Sequence, residues 1–141
     1  MGTTDKTKIT VETTVNVTVE KAWEHWTNPQ HITKWNHASD DWHTTKAEND
    51  LRVGGKFSSR MEAKDGSFGF DFSGVYNDIK IYELIAYTMD DGRTNKITFI
   101  SKDSQTQVIE TFDAENENPI ELQRGGWQAI LDNFKKYVEA Q

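Results

Sequence analysis

The sequence has no cysteine. That excludes disulfides, cysteine nucleophiles and thiolate metal sites. No apolar run approaches the roughly 18 residues needed to cross a bilayer, so no membrane span is expected. Residues Met1 to Lys8 are polar and lack the apolar stretch of a secretory signal. A cytoplasmic location and a disordered stretch over about residues 1–7 follow as expectations. Basic residues are also scarce: 16 Lys and Arg stand against 23 Asp and Glu, for a net charge of −7. This balance argues against a nucleic-acid partner or an anionic-membrane footprint. Neither G-x-S-x-G, H-E-x-x-H, a Walker loop nor G-x-G-x-x-G occurs, and no cofactor is expected. His25, His31, His37 and His43 are evenly spaced, but His25 and His31 do not share a face at helical spacing, so no metal site is assigned. Without a secretory signal, the Asn16-Val17-Thr18 sequon reads as incidental.

Aliphatic residues are sparse, and aromatic ones compensate. Five Trp, seven Phe and four Tyr each bury a large area, enough for the core of one domain over residues 1–141. Ile9, Val11, Thr13, Val15 and Val17 alternate with polar residues, the period-two pattern of a half-buried strand. Thr18 then offers an N-cap, and Val19, Ala22, Trp23 and Trp26 form one face of a short helix. Asn28 caps a second short helix with Pro29 at its first position, and Ile32 and Trp35 supply its apolar side. From Trp42 to Phe112 the pattern is mostly strand, punctuated by Gly54-Gly55, Asp65-Gly66 and Asp91-Gly92. Phe68, Phe70 and Phe72 alternate along one strand and direct one face inward. Tyr76 keeps their parity while Val75, Ile79 and Ile81 take the other, which predicts a bulge or bend near Gly74.

Trp127, Leu131, Phe134 and Val138, widened by Ile130, mark a long C-terminal helix. Asn118, Pro119 and Glu121 suggest a capping box at its start, and Lys135 and Lys136 suit its C-terminal end. A strand, two short helices, a run of strands and a final helix cannot build βαβ units. They give an α+β fold, with about six to seven antiparallel strands curved around the last helix.

Several segments resemble the Bet v 1-like, START-related (SRPBCC) superfamily, and within it bacterial proteins sharing the homology domain of the activator of Hsp90 ATPase. They are Val19-Glu20-Lys21-Ala22-Trp23, Asn28-Pro29 with Ile32-Thr33-Lys34-Trp35, and Asp50-Leu51-Arg52-Val53-Gly54-Gly55-Lys56-Phe57. They continue with Met61 to Gly66, Gly74-Val75-Tyr76 with Ile79, and Gly126-Trp127 through Phe134. The resemblance implies a helix-grip fold, with a cavity between sheet and helix. The superfamily includes lipid carriers, hormone receptors, cyclases and chaperone regulators, and fold alone does not choose among them.

On this basis the expected function is binding of a small apolar molecule (a lipid, polyketide or aromatic compound) by Trp35, Phe57, Met61, Phe70, Phe72, Tyr76, Tyr87, Trp127, Leu131 and Phe134. The same residues also suit a solid core. Gly125-Gly126 inside the helix costs on the order of 1 kcal/mol per residue relative to Ala. Close approach to another element, or a kink opening a cavity mouth beside Arg124, would offset it. The polar candidates are Tyr76, Tyr87, Asp71, Ser59, Ser73 and Gln128. An enzymatic alternative has Tyr76 or Asp71 polarising a bound carbonyl, as in a polyketide cyclase. A third reading is an interaction domain regulating a chaperone. Homodimerisation is left open.

Overall fold

The structure is a computed structural model that describes residues 7–141; the expectation of disorder over about residues 1–7 lies outside the described residues except at Thr7, whose carbonyl accepts from the Ala114 amide. The elements are β1 (Lys8–Val15), α1 (Val19–Thr27), α2 (Pro29–Trp35), β2 (Trp42–Asn49), β3 (Lys56–Ala63), β4 (Gly69–Lys80), β5 (Leu84–Met89), β6 (Thr94–Lys102), β7 (Gln105–Asp113) and α3 (Ile120–Glu139). The strands form one curled antiparallel sheet in the order β1-β7-β6-β5-β4-β3-β2. Strands β1 and β2 therefore occupy opposite edges, and the chain passes between them through α1 and α2. Among the described residues, no helix is long and apolar enough to cross a membrane.

Local chemistry sets most boundaries as expected. The Thr18 hydroxyl accepts from the Lys21 amide to start α1, and the Asn28 side chain accepts from the Gln30 amide at the start of α2. Gly66 and Gly92 turn the chain with φ of 79° and 91°, a conformation that side chains disfavour. The Asp50 to Phe57 segment is a structural turn. The Gly54 amide donates to the Tyr76 carbonyl, and the Tyr76 amide donates to the Gly55 carbonyl. A Cβ on Gly55 would lie 2.1 Å from the Asp50 carbonyl oxygen, so only glycine fits there. Arg52 pairs with Asp50 at the exposed rim of this turn.

Three expectations need correction. The bulge in β4 lies between Tyr76 and Asp78. The extra residue, Asn77, turns Ile79 inward opposite Ile85, which accounts for the change of parity. Gly74 serves a different end, because a Cβ there would meet the Thr88 carbonyl oxygen at 2.5 Å and the Phe57 ring at 2.9 Å. Phe68 precedes β4 and is 61% exposed, packing on Trp42 and Phe70 at the surface. Finally, Pro119 takes the N-cap position of α3 without a side-chain cap. The Gln123 amide instead reaches back, accepting from the Glu115 amide and donating to the Asn118 carbonyl, while Asn118 bonds Glu115. A capping box is thus replaced by a glutamine clasp.

The second half of α3 holds the fold together. Leu131, Phe134 and Val138 are fully buried, and the helix packs along β1. The Phe134 ring meets Trp26 at 4.9 Å and Trp35 at 5.0 Å, joining α3 to both short helices. Removing this ring leaves a large hole at the junction of three helices and the sheet. Phe134→Ala is expected to lower the unfolding free energy by about 3–5 kcal/mol, whereas Leu122→Ala, at an exposed position of the same helix, changes it by less than about 0.5 kcal/mol. Urea denaturation of both variants checks the contrast.

Candidate functional site

The inward faces of the strands follow the period-two rule, and their side chains decide what lies under α3. On β4, Phe70, Phe72 and Tyr76 face the helix side; on β3, Phe57, Ser59 and Met61; on β5, Ile85 and Tyr87. The first half of α3 faces them with Gln123, Gly126, Trp127 and Ile130. Between the two surfaces is a cavity of about 560 Å³. Trp26, Ile32 and Trp35 from α1 and α2 line it too, as do the exposed Leu122 and Phe70 at its rim.

The walls are braced by ring contacts. Trp127 stacks on Phe112 at 4.0 Å, nearly parallel, and presents its edge to Phe72. Phe57 sits at the centre of an aromatic group, with ring centroids 4.6 Å from Tyr87 and 5.3 Å from Tyr76. Trp35 is pinned by its indole N–H, which donates to the His25 carbonyl oxygen. Of the expected site residues, Trp35, Phe57, Met61, Phe70, Phe72, Tyr76, Tyr87 and Trp127 all line the cavity. Leu131 and Phe134 do not. They belong to the packed half of α3, which begins just after Ile130, and form core.

The polar candidates divide in the same way. Ser59 lines the cavity. Asp71 is exposed and lies 3.6 Å from Arg60, Ser73 bonds Asp90, and Gln128 bonds the Glu12 carbonyl and Asp132 outside it. Arg124 pairs with Glu121 and is absent from the lining. The Tyr76 hydroxyl donates to the Asn49 side-chain oxygen at 2.5 Å, and burial pushes its ionisation well above the ordinary tyrosine range. Of the two residues expected singly to polarise a bound carbonyl, Asp71 lies outside the cavity lining, and Tyr76 lines the cavity with its hydroxyl proton donated to Asn49.

The residue that sequence reasoning missed is Glu110. Along β7, Thr106, Val108, Glu110 and Phe112 share the buried face, so the period-two signal was present. Glu110 is 5% exposed and lines the cavity. Asn95 of β6 donates from one Nδ2 to the Glu110 carboxylate and to the Tyr87 hydroxyl, at 2.7 Å each. Burial pushes the Glu110 carboxyl up to about 7, with the Asn95 hydrogen bond opposing the shift. Burial likewise raises Tyr87, and the neighbouring Glu110 charge adds to the effect. Arg93, from the turn between β5 and β6, also lines the cavity while its guanidinium holds Asp91 at 2.7 Å.

A second cluster lies outside the cavity. His25 and His31 come from different helices, and their rings stack at 4.0 Å, so the expectation from a single helical spacing did not apply. Glu24 is 3.4 Å from His25 Nδ1 and 3.3 Å from His31 Nε2. His31 Nδ1 and the Tyr137 hydroxyl share a 2.6 Å hydrogen bond, and His25 Nδ1 contacts the Lys21 carbonyl. Burial and the adjacent His25 lower the His31 pKa, opposed by Glu24. The cluster fastens α1 and α2 to the end of α3.

A curled antiparallel sheet gripping a C-terminal helix over an aromatic cavity defines the helix-grip class, that of the Bet v 1-like and START-related proteins. Within that class, the chain belongs to the family described as Activator of Hsp90 ATPase homolog 1-like protein, which matches residues 16–139. It is similar to the AHSA1-like protein from Aeromonas hydrophila, with 47% identity over 95% of this chain and 93% of that one and a TM-score of 0.89. A protein from Cytophaga hutchinsonii is 52% identical over 94% of this chain and 92% of that one, with a TM-score of 0.83. A Chromobacterium violaceum protein, at 23% identity over 94% and 96% of the two chains and a TM-score of 0.84, shares the fold. No curated protein matches the chain in sequence.

The buried carboxyl has a consequence for stability. Glu110 holds its proton more tightly folded, at about 7, than at its ordinary value of 4.5. Its favourable contribution is complete below the unfolded value and is lost as pH rises through the folded one. The loss amounts to roughly 3 kcal/mol between about pH 4.5 and about pH 8. Glu110→Gln should remove this part of the pH dependence and be the more stable form at about pH 8. Urea unfolding of both proteins across that range measures it, and parallel profiles would contradict the assignment.

Proposed function

We propose that the chain binds a small, largely apolar molecule between the first half of α3 and strands β3 to β5. The observation that carries this reading is the cavity. Its volume of about 560 Å³ falls within the range typical of small-molecule sites, and aromatic rings with a few buried polar groups form its wall. Ring walls fit flat or flexible apolar bodies, and Met61 adapts to varied shapes. Away from the cavity, exposed apolar side chains include Val53, Ile81, Tyr82 and Phe68, the last packed on Trp42 and on Phe70 at the cavity rim.

The paired glycines of α3 support the same reading. The helix runs unbroken through Gly125 and Gly126, and a Cβ on either would meet nothing within 4 Å. Close packing does not offset their cost. Gly125 is exposed, but Gly126 lines the cavity, so its missing side chain keeps volume free for a ligand.

The two positions should therefore separate. Gly125→Ala is expected to stabilise the protein by up to about 1 kcal/mol without changing affinity for a neutral fluorescent probe such as N-phenyl-1-naphthylamine. Gly126→Leu should fold at least as well but weaken the probe about tenfold, or 1.4 kcal/mol. Fluorescence titration alongside thermal unfolding reads both, and unchanged affinity in Gly126→Leu would count against the cavity as the binding site.

A further inference from the structure

The polar end of the cavity points to the chemistry of its ligand, an inference that rests on the binding reading above. A carboxyl group in an aromatic wall is costly when charged unless a cation or several donors compensate. Among the described residues, no cation is paired with Glu110, and its donor is Asn95. The cavity's cationic group, Arg93, is bonded to Asp91, and the hydrogen bond to Glu110 comes from the neutral Asn95 amide. The neutral acid is therefore the form this wall favours, and a neutral acid is a hydrogen-bond donor.

Tyr87 stands beside it in the same role. Its hydroxyl oxygen accepts from the same Asn95 Nδ2 that serves Glu110, so the two oxygens are held within one hydrogen bond's reach of a single nitrogen. Neither uses its own proton in those bonds. Asn95 is fixed by burial between them, at 2% exposure, and acts as the positioning residue. Both Glu110 and Tyr87 line the cavity. A phenol and a neutral carboxylic acid in an apolar pocket are a donor pair suited to a carbonyl oxygen, whose two lone pairs can accept both protons.

We propose that Glu110, as the neutral acid, and Tyr87 form a two-donor cradle for a ligand carbonyl oxygen, so that the cavity selects apolar ring or chain compounds bearing an unhindered carbonyl. Ionisation of Glu110 removes one donor and places a negative charge against the carbonyl oxygen, so selection weakens as pH rises. The titratable and charged groups that share this cavity wall are Tyr76 from β4, Tyr87 from β5, Arg93 from the following turn, Glu48 from β2 and Glu115 before α3. Neither tyrosine ionises in the relevant range, since burial raises both.

The test compares 2-acetylnaphthalene with 2-ethylnaphthalene, which has the same ring body without the oxygen, by calorimetric titration at about pH 5.5 and about pH 8.5, on either side of the Glu110 transition. The ketone is expected to bind about tenfold more tightly than the hydrocarbon at the lower pH, and this preference should shrink several-fold at the higher pH. Tyr87→Phe should reduce the preference at both pH values, and Glu110→Gln should retain a preference that no longer varies with pH. The wild-type comparison needs no variant to fold. Equal binding of the two compounds at both pH values would overturn the cradle and leave the cavity reading standing. Binding of neither would overturn both. A wild-type preference independent of pH would also overturn the assignment to Glu110.

Discussion

The structure depends on how unevenly α3 is seated. Its second half is fixed: Leu131, Phe134 and Val138 are fully buried between β1 and the two short helices. Its first half is held at its beginning by the Gln123 clasp, at Trp127, stacked on Phe112, and by Gln128, which donates to the Glu12 carbonyl of β1. Strands β3 to β5 lie across the curled sheet from β1, along which the helix packs. The cavity lies between the first half of the helix and those strands. The cavity thus follows the topology, while the side chains set its lining and, at Gly126, its volume.

That lining departs from ordinary core chemistry most at Glu110. Most of the concave face is aromatic or aliphatic, and the rings brace each other edge to face. Beside Ser59, Arg93 and the Tyr76–Asn49 pair, the Glu110–Asn95–Tyr87 group brings a buried carboxyl into that wall at a cost in stability. Such departures from local consistency concentrate at functional sites. The Asp50 to Phe57 turn shows the opposite case. Its glycines and its Asp50–Arg52 pair make a distinctive sequence, yet they secure the β4 backbone at Tyr76 and leave the cavity to others.

Much of this fold was legible in the sequence because strand and helix periods are local. Alternation in β1, the Asn28-Pro29 helix start and the Asp-Gly turns each follow from residues close in the chain. What depended on tertiary placement was harder to read. Trp127 and Phe134 lie on one apolar stripe, and nothing in that stripe says that the first lines a cavity while the second plugs the core. The bulge at Asn77 sits three residues from the glycine that suggested it, and Gly74 itself answers to close packing against Phe57 and the Thr88 carbonyl. His25 and His31 meet only because α2 folds back beside α1. Glu110 had a readable parity between Val108 and Phe112, but acids are so rarely buried that an inward placement becomes credible only once Asn95 and Tyr87 are seen beside it.

The central claim is that the space between the first half of α3 and strands β3 to β5 admits a small apolar molecule. The most direct measurement is a two-dimensional amide and indole NMR titration of the isotopically labelled protein with a neutral naphthalene hydrocarbon. The account predicts saturable shifts at Trp127, Phe72, Phe57 and Gly126, with the edge strand β1 unaffected. Shifts confined to surface groups such as Phe68, Ile81 and Tyr82, or none that saturate, would contradict it.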